Sequence, residues 1–223
     1  MCEYLIASCE FKKKYYVICC QPVHLIGDID GFFNRLMMIR KVDLLVTQVI
    51  RSSNSFDIRL SSENIIVYLN RNSNLVDVLI VPNLFFNVYF PQGGRMPNIR
   101  NVGFEKYGGA GIFPYPDYIL DSFARIYSNI SYIYEIVEDK CLLPNHFLND
   151  LVMYRFEELY QRDTYCNISI TKFIEDNYLS TQLFFSRNHP AKVVFIELTK
   201  KILDYLDISV FLNEGCFKTI GRR

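Results

Sequence analysis

The sequence predicts an α/β fold, a parallel sheet flanked by helices with a helix-rich carboxyl-terminal half. Three observations lead there. Short, nearly all-apolar runs at residues 15–19, 41–50 and 76–82 have the length and β-branching of buried strands. The stretches between them space apolar residues three and four apart, as on one helix face. Beyond residue 117 helical spacing dominates, with one short apolar exception at 183–186.

Taken in order, residues 15–19 (YYVIC) follow three lysines and read as the opening strand, ended by Gln21 and Pro22. Ile29, Phe32, Phe33, Leu36 and Ile39 then share one face of a helix over 29–40. Residues 41–50 (KVDLLVTQVI) read as a second strand. Ser61 or Ser62 caps a helix over 63–69 through a Ser-x-x-Asn variant of the capping box. Residues 76–82 (VDVLIVP) form a third strand, apolar enough to be covered on both faces. Strand, helix, strand, helix, strand implies parallel pairing through right-handed crossovers.

The middle breaks this pattern. Residues 91–116 hold four prolines and six glycines, so regular structure cannot persist, and a loop of this length in a compact domain is commonly functional. Afterwards, one helix is expected over 117–134, with Ile119, Leu120, Phe123 and Ile126 inward, then helices over 148–162 and 170–178. A short strand at 183–186 precedes a terminal helix over 191–206. No internal repeat emerges. The expectation is a single α/β domain over 1–223: a sheet-forming part at about 15–90, the Gly/Pro-rich loop at about 91–116, and a helical part at about 117–223.

Composition narrows the function. Half the residues are hydrophobic and mean hydropathy is +0.08, which supports a substantial core and excludes disorder. The 24 basic and 24 acidic residues cancel, leaving no net field to attract nucleic acid or anionic lipid. Seven scattered cysteines, an odd number without a CxxC pair, suit neither a disulfide framework nor a zinc site and indicate a reducing compartment. The first residues do not read as a secretion signal and no run reaches the length of a membrane span. A cytoplasmic location is expected.

Two junctions carry the most chemistry. Cys19-Cys20-Gln21 lies at the carboxyl end of the predicted first strand, where parallel sheets bind ligands. A cysteine there is either a nucleophile activated by a helix terminus or histidine, or a small buried apolar residue. The other junction is Phe184-Phe185-Ser186-Arg187-Asn188-His189-Pro190. If Pro190 starts the terminal helix, His189 sits at its amino end, where the dipole favours a neutral imidazole able to accept a proton. A purely structural histidine fits the same letters. Between them, the stretch from Pro82-Asn83-Leu84-Phe85-Phe86 to Tyr89-Phe90-Pro91 suits either a pocket wall with Asn83 as a polar contact or an aromatic cluster over the sheet edge. His24 ranks below His189 as a base. His146 reads as part of a helix lead-in, and Glu157 and Glu158 as solvated or ion-paired helix residues.

In this order, the segments resemble the WcbI family of capsular polysaccharide biosynthesis proteins, acetyltransferases with a distant likeness to SGNH-type hydrolases. That family carries Gly-Asn-Cys-Gln after its first strand, a Pro-Asn-aromatic-aromatic stretch leading to Gly-Tyr-aromatic-Pro, and a terminal Phe-Phe-Thr-x-Asn-His-Pro block before a helix. The matches are Cys20-Gln21, the Pro82 to Pro91 stretch, and Phe184 to Pro190, with the resemblance spanning about 15–206. Ile18-Cys19 replaces Gly-Asn, and Asn87-Val88 replaces the glycine before the tyrosine.

The resemblance implies coenzyme A or acetyl-CoA as cofactor, and acyl transfer to a hydroxyl of a sugar or polysaccharide acceptor. It also implies Cys20 and His189 as catalytic residues, with Gln21, Asn83, Tyr89, Arg187 and Asn188 in the cofactor site. Arg95 and Arg100 join Arg187 as candidates for the cofactor's phosphates on position alone. No metal is implied. Two readings compete: an SGNH-like esterase or deacetylase, which lacks the expected serine because Cys20 stands at that point, and a non-catalytic binding module of a glycan assembly complex.

Overall fold

Caps and strand pairing set the element boundaries. The structure is a computed structural model that describes residues 2–18, 22, 26–39, 41–50, 57–72, 76–93, 117–139 and 143–209. The chain forms two compact units, the first made of Met1–Phe85, Glu157–Phe185 and His189–Arg223, the second of Phe86–Phe156 and Ser186–Asn188.

The first unit opens with two short helices that the sequence reading did not assign, α1 (Cys2–Ala7) and α2 (Cys9–Lys14). Ser8 separates them, its Oγ accepting from the Phe11 N–H at 3.3 Å. Lys12, Lys13 and Lys14 occupy the last turn of α2, where the helix dipole favours cations. Lys14 donates to the Leu206 carbonyl at 2.9 Å, and Tyr4 stacks on Phe195 with ring centres 5.4 Å apart.

The expected opening strand is corrected. Among the described residues of that run, Tyr15 to Ile18, none pairs in a sheet, and Tyr16 is 90% exposed. An apolar run supplies strand propensity but cannot supply a ladder partner. This one instead borders a cavity of about 280 Å³ shared with Leu36, Leu69 and Asp43 to Val46.

The rest of the α/β reading stands. Helix α3 (Ile29–Met38) starts on Asp28, whose Oδ1 accepts from Gly31 N–H at 2.8 Å, and it buries Phe32, Phe33 and Leu36. Strand β1 (Leu44–Gln48) pairs in parallel with β2 (Asp77–Val81) from Leu44↔Asp77 to Gln48↔Val81. Helix α4 (Ser62–Asn72) makes the crossover, with Ser61 Oγ accepting from Asn64 N–H at 3.3 Å as the capping signal predicted. Ile26, Phe32, Phe33, Leu36, Leu60, Ile65, Leu69 and Val76 form one buried cluster around these elements. β2 is less fully covered than predicted: Leu79 and Val81 are buried, Val78 and Ile80 only partly. On the side of β2 away from β1, Asn167 supplies both partners of Ile80, accepting from its N–H at 2.7 Å and donating its own N–H to the carbonyl at 2.8 Å. One residue thereby substitutes for a further strand and blocks that part of the edge.

In the second unit the single helix expected over 117–134 is two helices, α5 (Tyr118–Ile126) and α6 (Ile130–Asp139). Asp117 caps α5, and Asn129 Oδ1 accepts from Ser131 N–H at 3.0 Å to start α6. An asparagine that caps a new helix ends the old one, which a periodicity count across the break does not register. Leu120 and Ile126, expected inward, are exposed. Helix α7 (Asn145–Asp163) begins three residues before the predicted 148, and its last turns belong to the first unit.

Asp163 Oδ2 then accepts from Ile170 and Thr171 N–H at 3.2 and 3.0 Å, starting α8 (Thr171–Asn177). Strands β3 (Phe184–Ser186) and β4 (His189–Pro190) follow as a two-stranded sheet. Helix α9 (Lys192–Tyr205) buries Val194, Leu198, Ile202 and Leu203 on one face, as its spacing predicted. Among the described residues no helix is long and apolar enough to cross a membrane.

The carboxyl end of β1 is tied to α4 by Ser62. Its buried Oγ donates to Gln48 carbonyl at 2.6 Å and accepts from Ile50 N–H at 2.8 Å, while its own N–H reaches the Ile50 carbonyl at 3.0 Å. Ser62→Ala leaves two backbone groups without that hydroxyl, at a cost of about 1–3 kcal/mol. Thermal unfolding is expected to move down by roughly 2–10 °C. A shift below about 1 °C would contradict a tie of this strength.

Candidate active site

At the carboxyl ends of β1 and β2 the chain is held by side chains. Gln48 Nε2 donates to the Pro82 carbonyl at 3.4 Å, and Asn83 Nδ2 donates to the Val49 carbonyl at 3.0 Å. One amide hydrogen of Asn83 is thus committed to fixing the strand exits, although the residue is exposed. Arg162 Nη1 reaches the Phe85 carbonyl at 3.4 Å with its guanidinium carbon 5.8 Å from the Phe85 ring centre. Nothing in the spacing around Arg162 marks it in the sequence; only the end of α7 brings it there.

In the second unit, two of the three sequence motifs meet. The Phe86 N–H donates to the Arg187 carbonyl at 2.8 Å. Phe86 is buried, and its ring packs edge-on against Tyr89 at 5.3 Å and tilted against Phe156 at 5.6 Å. Phe86, Tyr89 and Phe156 thus form an aromatic cluster within the second unit. The chain then turns twice, with Phe90 N–H on Asn87 carbonyl at 3.0 Å and Gly93 N–H on Phe90 carbonyl at 2.9 Å. Gly93 and Asp117, which flank residues 94–116, form an antiparallel bridge, and Tyr118 N–H donates to Gln92 carbonyl at 3.1 Å. The Gly/Pro-rich stretch itself lies outside the described residues from 94 to 116, apart from the turn at its start.

Arg187 is buried at 9% exposure, whereas Asn188 and His189 are exposed. Asn188 Oδ1 accepts from Ser186 Oγ at 3.3 Å. His189 belongs to β4, and the hairpin closes in the first unit through Ala191 N–H on Leu183 carbonyl at 2.7 Å. The expected placement of Pro190 in the first helical turn is corrected, because Ala191 is the cap residue and α9 starts at Lys192. His189 therefore sits two residues ahead of the cap. The helix dipole acts mainly within the first turn, so the dipole argument made for His189 lapses.

Cys20 and Gln21 lie outside the described residues, as do His24, Arg95 and Arg100. His146 is exposed on α7, Glu157 is exposed, and Glu158 lies 3.9 Å from Arg162, in keeping with solvated or ion-paired roles. Asn83 and His189 are placed in the first unit, Tyr89, Arg187 and Asn188 in the second.

A family model and a solved structure match the chain. Residues 5–210 match the family model described as polysaccharide biosynthesis enzyme WcbI. No curated protein matches the chain in sequence. A solved structure of WcbI, described as a novel polysaccharide biosynthesis enzyme in its native form without a disulfide bond between coenzyme A and a cysteine, superposes with a TM-score of 0.76 at 16% identity. The match covers 93% of this chain and 66% of that one, so about a third of that protein has no counterpart here. At this identity the likeness concerns the fold, and the fold class predicted from the sequence is the one observed. With a family model matched over most of its length, the chain belongs to the WcbI family of polysaccharide biosynthesis enzymes.

Proposed function

We propose that this chain is a coenzyme A-dependent acyltransferase, with acetyl as the transferred group and a hydroxyl of a capsular or surface polysaccharide precursor as acceptor, working in the cytoplasm. The observation that carries the reading is the Phe86 to Arg187 hydrogen bond, which joins the aromatic motif to the turn leading into His189. Family membership and the coenzyme A named for the similar solved structure support it.

Acyl transfer needs a group to take the acceptor's proton and donors for the tetrahedral oxyanion. His189 is exposed to solvent and suits the first task; backbone amides at Cys20 and Gln21, with the Asn188 side chain, suit the second. Coenzyme A supplies a thioester-activated acyl group. Gln21, Asn83, Tyr89, Arg187 and Asn188 are assigned to its binding site, and Arg95 or Arg100 to its phosphates. Two routes share these residues. Along one, Cys20 as its thiolate would accept the acyl group that a bound acyl-coenzyme A supplies, holding it as a thioester while coenzyme A leaves as its thiolate. The acceptor oxygen then attacks as His189 takes its proton, and the C–S bond to Cys20 breaks. Along the other, Cys20 lines the pocket and His189 would take the acceptor's proton as its oxygen attacks the thioester carbonyl, the C–S bond breaking to release coenzyme A as its thiolate.

A nucleophilic thiol must be ionised near neutrality, and Cys166 shows the contrary setting. Its Sγ donates to the Arg162 carbonyl at 3.5 Å, and burial, reinforced by the nearby Asp163 carboxylate, pushes the thiol up to about 11. At pH 8 only about one molecule in a thousand carries that thiolate, against roughly one in four for an ordinary thiol. Iodoacetamide is expected to label Cys166 about 100-fold more slowly than a free thiol at pH 8, with the gap closing as pH rises through 11. Equal labelling rates at pH 8, read by peptide mass spectrometry, would contradict this.

Saturating coenzyme A is expected to raise the thermal midpoint of the chain by several degrees; no shift at millimolar coenzyme A would count against the cofactor. Cys20→Ser and His189→Ala are each expected to cut acetyl transfer by about 100-fold or more. If both variants keep full biological activity, the chain is a binding module rather than an enzyme. Release of p-nitrophenol from an acetate ester without coenzyme A would favour the esterase.

A further inference from the structure

We propose that Arg187 is a positioning residue that holds the turn presenting Asn188 and His189, rather than a contact for the cofactor's phosphates. The proposal deepens the acyltransferase reading, on which the role of His189 rests. A turn between strands of three and two residues has little stability of its own, because an isolated hairpin is marginal in water. Two fixings at Arg187 compensate. Its carbonyl accepts the N–H of Phe86, a residue buried between Tyr89 and Phe156 and so itself immobile. Arg187 is buried, at 9% exposure, and its Cδ packs on Gly93.

Gly93 is the complementary half. A Cβ built there would lie 3.3 Å from Arg187 Cδ and 3.2 Å from the Phe90 carbonyl oxygen. The second neighbour is backbone, held by the hydrogen bond from Gly93 itself, so it cannot give way freely. A glycine at this point leaves the room that the arginine stem occupies.

The test uses the full chain with Arg187→Ala, Arg187→Lys and Gly93→Ala. Amide hydrogen exchange of the peptide covering 183–191 is expected to quicken at least tenfold in Arg187→Ala. In Arg187→Lys, which keeps an alkyl stem, it should return most of the way to the original rate. The His189 ring resonance, assigned by its loss in His189→Ala, is expected to move toward that of free imidazole in Arg187→Ala. Because Asn188 is carried on the same turn, any weakening of coenzyme A binding in Arg187→Ala should come only together with the quickened exchange, and both should recover in Arg187→Lys. Should Arg187→Ala fail to fold, Gly93→Ala carries the same test, with a smaller quickening in the same peptide. Unchanged exchange and an unmoved His189 resonance overturn the proposal, as does a tenfold loss of coenzyme A affinity with exchange unchanged. If the unaltered protein binds no coenzyme A, the function fails while exchange still judges the latch.

Discussion

The hydrogen bond between the Phe86 N–H and the Arg187 carbonyl is the constraint on which the candidate site depends. A buried backbone donor must find an acceptor, and Phe86 finds it a hundred residues downstream. That requirement joins a loop leaving the sheet to a hairpin turn with too few pairs to hold itself. The buried aromatic ring beside the donor keeps water from competing for it, so the tie is worth more than one at the surface.

Similar economy runs through the first unit. Only two strands pair in the described sheet, yet their ends and edge are occupied by side chains: Ser62 and Asn83 at the carboxyl end, Asn167 along β2. Polar side chains that mimic backbone partners allow a short parallel sheet to keep its strand exits in place. In open α/β sheets those exits are where ligands bind. Asn83, a candidate for contact with the cofactor, therefore serves the frame as well as the proposed site.

Much of this was legible in the letters. Residues 41–50 and 76–82 announced β1 and β2 because a covered strand needs an unbroken apolar run, and Ser61 with Asn64 announced the start of α4. Cap chemistry also explains what was missed. Ser8 starts α2 and Asn129 starts α6, but each is one ordinary polar residue until the backbone beside it is known. Residues 15–19 read as a strand because propensity is local, whereas pairing, absent at the described residues 15–18, needs a partner that sequence does not supply. The Asn-His-Pro letters fall on the turn and second strand of the β3–β4 hairpin, and the start of α9 lies two residues beyond the Pro190 they suggested, which removed the dipole argument for His189. The burial of Arg187 against Gly93 had no local signal, since it arises between positions 94 residues apart.

A crystal structure of the full chain with coenzyme A bound addresses the central claim most directly. The account predicts the cofactor's sulfur beside both the Cys20 thiol and the His189 ring, with the Phe86 to Arg187 hydrogen bond intact. A sulfur directed away from His189, or a turn detached from Phe86, would contradict it.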